Sequence, residues 1–338
     1  MDRVETANNV SDEEELGDWE MIEYEQAVLS LSVSKRAPDF LNDPFKDKWK
    51  NTVQAITKRS PNGWRKTYAL KPFMVKANDD CRQEVMALQL IKRLQQLFRK
   101  SNHKLYLRPY EILITSSSSA MIEFMPDTIS INALKKKMLQ MKEPQLCNLR
   151  NFYKWYFGSK FEEAQTNFIR SLAGYSLFTY LFAIRDRHNG NIMIDRKGHI
   201  IHIDFGFMLQ SSPGNMNFEG SPFKLTQEYV ELMDGVDSDL FEYFKSLMTA
   251  GLLQIRKHQD ELVRFITIMM KESVMPCFKT PQTIVSEFEA RMRVTGMSTA
   301  SQRNEMAELA DRIVRASTNN FFTNQYDNFQ KMTLNIEK

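Results

Sequence analysis

The chain has 338 residues, a formal net charge of +3 and 42% hydrophobic residues, which suits a globular protein of roughly two domains or lobes. Its three cysteines are scattered without paired spacing, which argues against a disulfide framework and a zinc site and fits a reducing compartment. The start MDRVETANNVSDEEE has no apolar core and so is not a signal peptide, and the longest apolar run, SLFTYLFAI, is too short to span a bilayer.

Charge is distributed unevenly along the chain. Residues 1–20 hold eight acidic residues and one basic residue, a net charge of −7, so the remaining chain must carry +10 to give the overall +3. An acidic segment with few apolar residues is typical of a disordered tail. A basic body favours anionic partners such as nucleotides, nucleic acids or the cytoplasmic membrane surface.

The first half of the chain predicts a small lobe of mixed structure at 45–125, after a linker with one short amphipathic helix at 21–44. The segment FKDKWKNTVQAITKR has helical periodicity, SPNG is a turn, and TYALKPFMVKA alternates as a strand does. A second helical pattern, DDCRQEVMALQLIKRLQQLFRK, follows. Two strands, LYLRPYEILITS and SAMIEFM, then flank a serine-rich turn.

The second half, 126–338, is predicted to be mostly helical. One exception is NIMIDRKGHIIHIDFG, in which two apolar strands flank an Arg-Lys-Gly turn and predict a hairpin. A loop at 204–225, rich in Gly, Ser, Pro and Asn, follows, and the helical pattern then resumes. At the C-terminus an amphipathic helix places Phe322, Tyr326 and Phe329 in a stripe that suits either a membrane interface or packing on the helical lobe.

The segment RDRHNGNIMID and the DFG that follows it carry the chemistry. Phosphoryl transfer needs magnesium on the phosphates and a group near the acceptor hydroxyl. Asn191 and Asp204 are suitable oxygen ligands that the hairpin would bring together. Asp186 or His188 could accept the hydroxyl proton, and Arg187 could neutralise phosphate charge or fix an acid. The alternative is a hairpin capped by polar loop residues that have no catalytic role.

Together, DRHNGNIMID and GHIIHIDFGF resemble the catalytic loop (184–193) and metal motif of the phosphatidylinositol 3-/4-kinase superfamily, where the triplet order is reversed relative to protein kinases. FMVKANDDCRQEVMALQLIKRL is similar to that family's lysine strand and following helix. AMIEFM is similar to the linker between its lobes. SSPGNMNFEGSPFKLT resembles the activation loop (204–225) of type III phosphatidylinositol 4-kinases, particularly the beta type. The resemblance covers about residues 45–335. It implies an α+β, bilobal protein-kinase-like fold with a small α/β N-lobe and a mostly helical C-lobe.

The resemblance also implies an ATP site. It assigns Lys76 to the ATP phosphates, Glu84 to a buried position as the partner of Lys76, and Asp79 to a supporting role. It assigns adenine binding to the backbone of Glu123 and Met125 in the linker. It also assigns the side chains of Met193 and Ile203, one on each hairpin strand, to the two faces of the adenine.

Two features depart from the family pattern. Asn78 and Cys81 stand where the family has Gly and Leu, and Asn tolerates left-handed backbone geometry, so the first change is expected to be harmless. The phosphate loop KRSPNGWRK is short and has one glycine. Ser60 is the candidate phosphate donor there, and an ordinary turn is the alternative.

The activation loop also bears on the substrate. Between Phe207 and Leu225 it has one acid, Glu219, and one base, Lys224, which is the candidate substrate contact. A multiply phosphorylated headgroup would require several cations, so unphosphorylated phosphatidylinositol is the better match. The choice of the 4-hydroxyl rests on the resemblance.

The reaction implied is transfer of the γ-phosphate of ATP to phosphatidylinositol in membranes, giving phosphatidylinositol 4-phosphate. Mg²⁺ is the expected metal, with Mn²⁺ as an alternative. Small GTPases or adaptor proteins are expected partners, nucleic acid is not, and the expected location is cytoplasmic and peripheral on Golgi-like membranes. The rival hypotheses are a phosphatidylinositol 3-kinase that uses the unphosphorylated lipid, a protein kinase of the related large kinases, and a pseudokinase scaffold.

Overall fold

The computed structural model describes residues 43–45, 48–101, 103–213, 221–293 and 302–318. The chain divides into two compact units, 1–43 and 44–338, and nearly all of the first lies outside the described residues. The expected acidic tail, most of the predicted linker and the C-terminal aromatic stripe also lie outside them.

The first elements form a three-stranded sheet with a long helix. In chain order they are helix α1 (Trp49–Arg59), strand β1 (Phe73–Ala77), helix α2 (Arg82–Lys100), and strands β2 (Ile112–Ser116) and β3 (Ser119–Glu123). The predicted strand at 67–77 is only five residues long. Pro72, which precedes it, has no N–H to donate to a sheet.

The sheet has the order β1-β3-β2, and both strand pairs are antiparallel. Because strand side chains alternate between faces, Ala120 and Ile122 are buried while Val75 and Leu113 are exposed on the opposite face. Helix α2 buries the apolar positions that recur every three or four residues along it. By contrast, helix α1 buries none of its side chains, and the predicted apolar face leaves Ile56 41% exposed.

A second sheet contains the predicted hairpin. Its strands are β4 (Thr128–Ser130), β5 (Ile192–Asp195) and β6 (Ile200–His202), in the order β4-β5-β6. Gly198 turns the hairpin with φ +85°, and an added Cβ would lie 2.8 Å from the Ala164 side chain. The hairpin is therefore confirmed, and its open end carries the catalytic loop and the metal motif.

Helices make up the rest of the described chain. They are α3 (Ile131–Gln140), α4 (Leu149–Phe157), α5 (Phe161–Phe182), α6 (Gln227–Leu232), α7 (Asp239–Lys257), α8 (Gln259–Met270), α9 (Pro281–Arg291) and α10 (Gln302–Thr318). Helix α5 contains most of the apolar run SLFTYLFAI, and 15 of its 22 residues are buried, in line with the buried helix that the run predicts. Gly251 lets α7 approach α5, because an added Cβ would lie 2.2 Å from Leu177 Cδ1. No described helix is long and apolar enough to cross a membrane.

Candidate active site

The catalytic loop starts where α5 ends in a left-handed residue, Ala183, with φ 46°. Two backbone hydrogen bonds then hold the loop against the segment that follows β6. Arg185 N–H donates to Phe207 O at 2.9 Å, and Leu209 N–H donates to Phe182 O at 2.8 Å. The catalytic loop and the start of the activation loop are thus fixed to each other.

Arg187 is buried and clamps the same two segments. Its guanidinium donates to Arg185 O at 2.9 Å, to Ile203 O at 2.8 Å and to Asp204 O. It also lies over the Phe205 ring, 5.4 Å from its centroid. These bonds hold the backbone of Asp204 in place.

Asp186, His188 and Asn191 lie together on the loop. Asn191 Nδ2 donates to Asp186 O at 3.0 Å, and His188 Nε2 lies 3.8 Å from Asp186 Oδ2. Gly190 N–H donates to His188 Nδ1 at 3.0 Å. Burial lowers the pKa of His188 below its usual value, with Arg187 acting in the same direction and the Asp186 carboxylate opposing. The imidazole is therefore neutral near pH 7.

Asp204 follows β6, and Ile203 N–H donates to Asn191 O at 3.1 Å, so the hairpin does bring Asn191 and Asp204 into adjacent positions. Both Asp186 (φ 62°) and Asp204 (φ 56°) have left-handed backbones, which cost energy in non-glycine residues and often mark functional sites. The Asp204 side chain turns back to accept Gly206 N–H at 3.2 Å.

A metal ion would be held by oxygen atoms of this pair. Because Asn191 Nδ2 is bound to Asp186, its Oδ1 is the end left for a metal, and Asp204 supplies a carboxylate. The described residues contain no group of three or more His, Cys, Asp and Glu side chains that would cage a metal. This donor set fits Mg²⁺, which is usually held by a few protein oxygens together with several waters and the oxygens of substrate phosphates.

Lys76 and Glu84 have different partners from those predicted. Lys76 Nζ lies 2.5 Å from Asp79 Oδ2, while Glu84 accepts a hydrogen bond from Tyr110 Oη. Burial alone would lower the pKa of Lys76, but the hydrogen bond to Asp79 and the charges of Asp204 and Glu84 outweigh it and raise the pKa. Lys76 therefore remains cationic, with Asp79 rather than Glu84 as its direct partner.

Tyr110 is a site residue that the sequence reasoning missed. Asp204 N–H donates to its hydroxyl at 3.3 Å, and the hydroxyl donates to Glu84. Burial raises the pKa of Tyr110 well above its usual value, and the neighbouring Glu84 carboxylate adds to the effect. A neutral tyrosine thus connects α2 to the metal motif. Its strand-like surroundings in LYLRPYEILITS held no signal for this contact.

The expected adenine residues occupy different environments. Met193 and Ile203 are half-buried on the hairpin, whereas Glu123 is exposed and its N–H donates to Glu111 O at 2.8 Å. Met125 O accepts the Thr128 hydroxyl at 2.7 Å. No described residue accepts from Met125 N–H, so this group is available to an adenine edge.

Ser60 and Lys224, the remaining two predicted site residues, lie in different surroundings relative to the catalytic loop. Ser60 closes α1 and accepts Asn62 N–H at 3.3 Å, which is ordinary turn geometry with no described contact to the residues above. Lys224 is buried at the end of the activation loop, and its charge contributes to lowering the pKa values of His188 and His202. Lys224 therefore lies near the catalytic loop.

Similarity to known proteins identifies the family of the chain. The profile of the family described as phosphatidylinositol 3- and 4-kinase matches residues 71–279. A protein named phosphatidylinositol 4-kinase from Dictyostelium discoideum is 41% identical over 89% of this chain and 25% of its own length. Phosphatidylinositol 4-kinase beta from Homo sapiens is 40% identical over 92% of the chain and 37% of its own length.

Phosphatidylinositol 4-kinase beta 1 from Arabidopsis thaliana is 40% identical over 84% of the chain and 25% of its own length. The chain thus spans between a quarter and somewhat more than a third of these relatives. The matched region contains the lysine strand, the catalytic loop and the metal motif, and the two described sheets and surrounding helices have the α+β composition of a bilobal kinase. The chain belongs to the phosphatidylinositol 3- and 4-kinase family.

Proposed function

We propose that the chain transfers the γ-phosphate of ATP to the 4-hydroxyl of phosphatidylinositol. The observation that carries this proposal is the grouping of Asp186, His188, Asn191 and Asp204 at one end of the hairpin. Phosphoryl transfer requires positioning and charge stabilisation more than covalent chemistry, and this end of the hairpin offers both. The names of the relatives support the lipid and the position on its ring.

ATP is proposed to lie between the two sheets. Lys76 would bind its phosphates, with Asp79 holding the ammonium in place. The adenine would lie between Met193 and Ile203, with Met125 N–H at its edge. Ser60 is proposed as a further phosphate donor because it lies in the segment KRSPNGWRK.

Mg²⁺ is the proposed metal, held by Asn191 Oδ1 and the Asp204 carboxylate. When bound, the ion would neutralise charge on the transferred phosphoryl group. Arg187 and Tyr110 fix the backbone of Asp204 from two directions, so the carboxylate has a defined position for this ligand role.

His188 is the proposed proton acceptor, and Asp186 is proposed to assist it. Because Gly190 N–H donates to Nδ1, the neutral ring carries its proton on Nε2. The ring must release the Gly190 hydrogen bond before Nδ1 can take the hydroxyl proton. The imidazolium so formed would keep Nε2–H beside the Asp186 carboxylate, 3.8 Å away, which stabilises its charge. Asp186 itself is the alternative base.

Phosphatidylinositol without further phosphates is the proposed acceptor, because the activation loop carries one acid and one base between Phe207 and Leu225. Lys224 is proposed to bind the headgroup phosphate. Its burial beside the catalytic loop would require the loop to move for direct contact.

We place the lobes at 45–125 and 126–338 and propose activity at the cytoplasmic face of Golgi-like membranes, with small GTPases or adaptor proteins as partners. A phosphatidylinositol 3-kinase that uses the same lipid is the second candidate, because the family includes both activities.

Chromatographic separation of the monophosphate isomers formed from phosphatidylinositol and labelled ATP tests the proposal. We expect the 4-phosphate, and the 3-phosphate would establish the rival activity. The variant Asp204→Ala should abolish either product, and unchanged product formation with this variant would remove the metal assignment. Absence of any product from the folded wild type would favour a pseudokinase.

A further inference from the structure

The stretch from α1 to the end of β1 has an unusual charge. Residues 48–78 contain eight basic residues and no acidic residue, whereas the composition of the chain predicts about four acids in a stretch of this length. Seven of the eight are exposed, and only Lys76 is half-buried. The exposed ones are Lys48, Lys50, Lys58, Arg59, Arg65, Lys66 and Lys71.

These seven cations have no acidic partner among the described residues. The Arg65 guanidinium makes a cation–π contact, 5.4 Å from the centroid of the neighbouring Trp64 ring. Lys76 differs, because it is bound to Asp79 in the proposed ATP site. A surface cation without a partner among the described residues can attract an external anion.

Exposed apolar side chains concentrate in the same stretch. Of the eleven large hydrophobic side chains exposed among the described residues, five lie between α1 and β1, and Trp64 is 79% exposed. The five are Ile56, Trp64, Phe73, Met74 and Val75. Leu113 on β2 adds a sixth, because Val75 and Leu113 both pair with Met121 and so lie on the same sheet face.

Exposed cations with no described acidic partner, in the same stretch as exposed aromatic and aliphatic side chains, fit a membrane surface. Tryptophan prefers the headgroup level of a bilayer, aliphatic side chains gain from the acyl boundary, and basic residues are attracted to anionic lipid. A nucleic acid would use the cations and the rings but gain little from Ile56, Val75 and Leu113. The chemistry of the patch therefore favours lipid.

We propose that the basic and apolar surface formed by residues 48–75 and Leu113 (the 48–75 surface) binds an anionic lipid surface. The purpose of such binding, bringing the active site to a lipid substrate, rests on the proposed function, but the binding itself does not. Contact would be peripheral, with Trp64 at the headgroup level and the cations facing anionic headgroups.

The test is sedimentation of the full chain, without ATP, with vesicles of phosphatidylcholine alone or mixed with phosphatidylserine. Neutralising the four cations closest to Trp64 in the sequence (Lys58→Gln, Arg59→Gln, Arg65→Gln, Lys66→Gln) should weaken binding to the mixed vesicles by about fivefold for each cation that meets the surface. Binding of the wild type should weaken with added salt.

A matched variant separates this surface from net charge. Four exposed lysines elsewhere, Lys142, Lys160, Lys197 and Lys257, can be changed to Gln for the same total charge. The proposal expects this variant to sediment as the wild type does. Equal losses in the two variants, or no loss in either, would overturn it.

Trp64 supplies a second readout that needs no activity. Its fluorescence should shift to the blue on binding mixed vesicles, and the shift should vanish in Trp64→Phe but persist in Trp155→Phe, which changes a tryptophan that is 45% exposed on α4. A shift that persists in Trp64→Phe would contradict the proposal. Stronger binding of the chain to a single-stranded oligonucleotide than to the mixed vesicles, measured by competition, would also contradict the proposal.

The outcome is separate from that of the proposed function. If the chain makes no phosphoinositide yet binds mixed vesicles through this surface, only the proposed function fails. If the fourfold variant keeps its vesicle binding but has a raised KM for ATP, the cations serve the nucleotide and the membrane proposal fails.

Discussion

The backbone N–H of Cys277 donates a 3.1 Å hydrogen bond to Gln83 Oε1. The other end of the same amide, Nε2, donates to Phe205 O at 3.4 Å and to Gly206 O. The Gln83 side chain is buried, and its hydrogen bonds connect helix α2 to the metal motif and to the turn before α9. Gln83 thus holds the backbone that follows Asp204 in the chain, whereas Arg187 holds Asp204 and the residue before it.

The variant Gln83→Met should therefore lower kcat as well as stability. It keeps the volume but leaves buried backbone groups unpaired, at about 1–3 kcal/mol for each such group. The loss of position at the metal motif should reduce kcat further, with the KM for ATP less affected. Thermal unfolding and lipid kinase rates, measured together, check this.

Gln95→Met is the matched control. Gln95 lies on the same helix, and its Nε2 donates to Leu107 O at 2.6 Å, away from the metal motif. This variant should lose stability while keeping kcat. If both variants lower kcat to the same degree for the same loss of stability, Gln83 has no positioning role.

The helical pattern of α2 could reveal that Gln83 is buried but not what it binds. Gln83 precedes Ala87 and Leu90 on the buried side of the helix, so a polar residue with a hidden partner could be expected there. Those partners lie 123 and 194 residues further along the chain. Local periodicity carries no information about contacts at that separation.

A second glutamine, Gln210, fixes the start of the activation loop to helix α9. Its Nε2 donates to Thr283 Oγ1 at 2.8 Å and to Glu287 Oε1 at 3.0 Å, and its Oε1 accepts Thr280 N–H at 2.7 Å. Gln210→Glu would set two carboxylates against each other. We expect a raised KM for phosphatidylinositol and a nearly unchanged KM for ATP, since this loop is the proposed binding site of the lipid headgroup.

The double variant Gln210→Glu with Glu287→Gln restores a donor opposite an acceptor. It should recover much of the lost activity, with a coupling between the two changes of about 0.5–3 kcal/mol. Steady-state kinetics of the wild type, the single variants and the double variant measure that coupling. Additive losses in the double variant would show that the contact does not control the loop.

The positions of the candidate residues could be predicted from the sequence better than their pairings. The loop pattern predicted Asp186, His188, Asn191 and Asp204 as neighbours, and the structure brings them together. Lys76 was assigned only through the family resemblance. The expected left-handed residue at Asn78 is present with φ 60°. The expected Lys76–Glu84 pair is replaced by two other contacts. Lys76 pairs with Asp79, three residues further along the chain, and Glu84 accepts a hydrogen bond from the Tyr110 hydroxyl. Which acid a lysine meets depends on side-chain geometry that motif spacing does not contain.

His202 should make the fold sensitive to acid. It is fully buried against the Tyr175 ring, with centroids 4.6 Å apart, and no described group pairs with its Nδ1. Burial lowers its pKa well below the usual value, and the charges of Arg187 and Lys224 act in the same direction. Below about pH 6.5 the unfolded chain takes up a proton that the folded chain does not, so stability falls as pH falls.

The slope due to His202 should approach about 1.4 kcal/mol for each pH unit. His202→Phe keeps the stacking on Tyr175 and should remove that part of the slope. Urea unfolding of both proteins at several pH values checks this. A residual slope is expected from His188 and His103, whose pKa values burial also lowers. Equal slopes in the two proteins would exclude His202 as the sensitive group.

Catalysis should depend on pH through the pair Asp186 and His188. The lowered pKa of His188 predicts that kcat/KM is constant near pH 7 and falls only at pH values below 6.5, where the imidazole takes up a proton. His188→Ala should lower kcat by about 10²–10⁴-fold while ATP binding survives. Asp186→Asn removes the charge that raises the pKa of His188, so any remaining activity should fall at still lower pH. Rates across pH and nucleotide titrations of these variants, with His258→Gln as a surface control, decide the assignment. If His188→Ala retains activity, the role of base returns to Asp186.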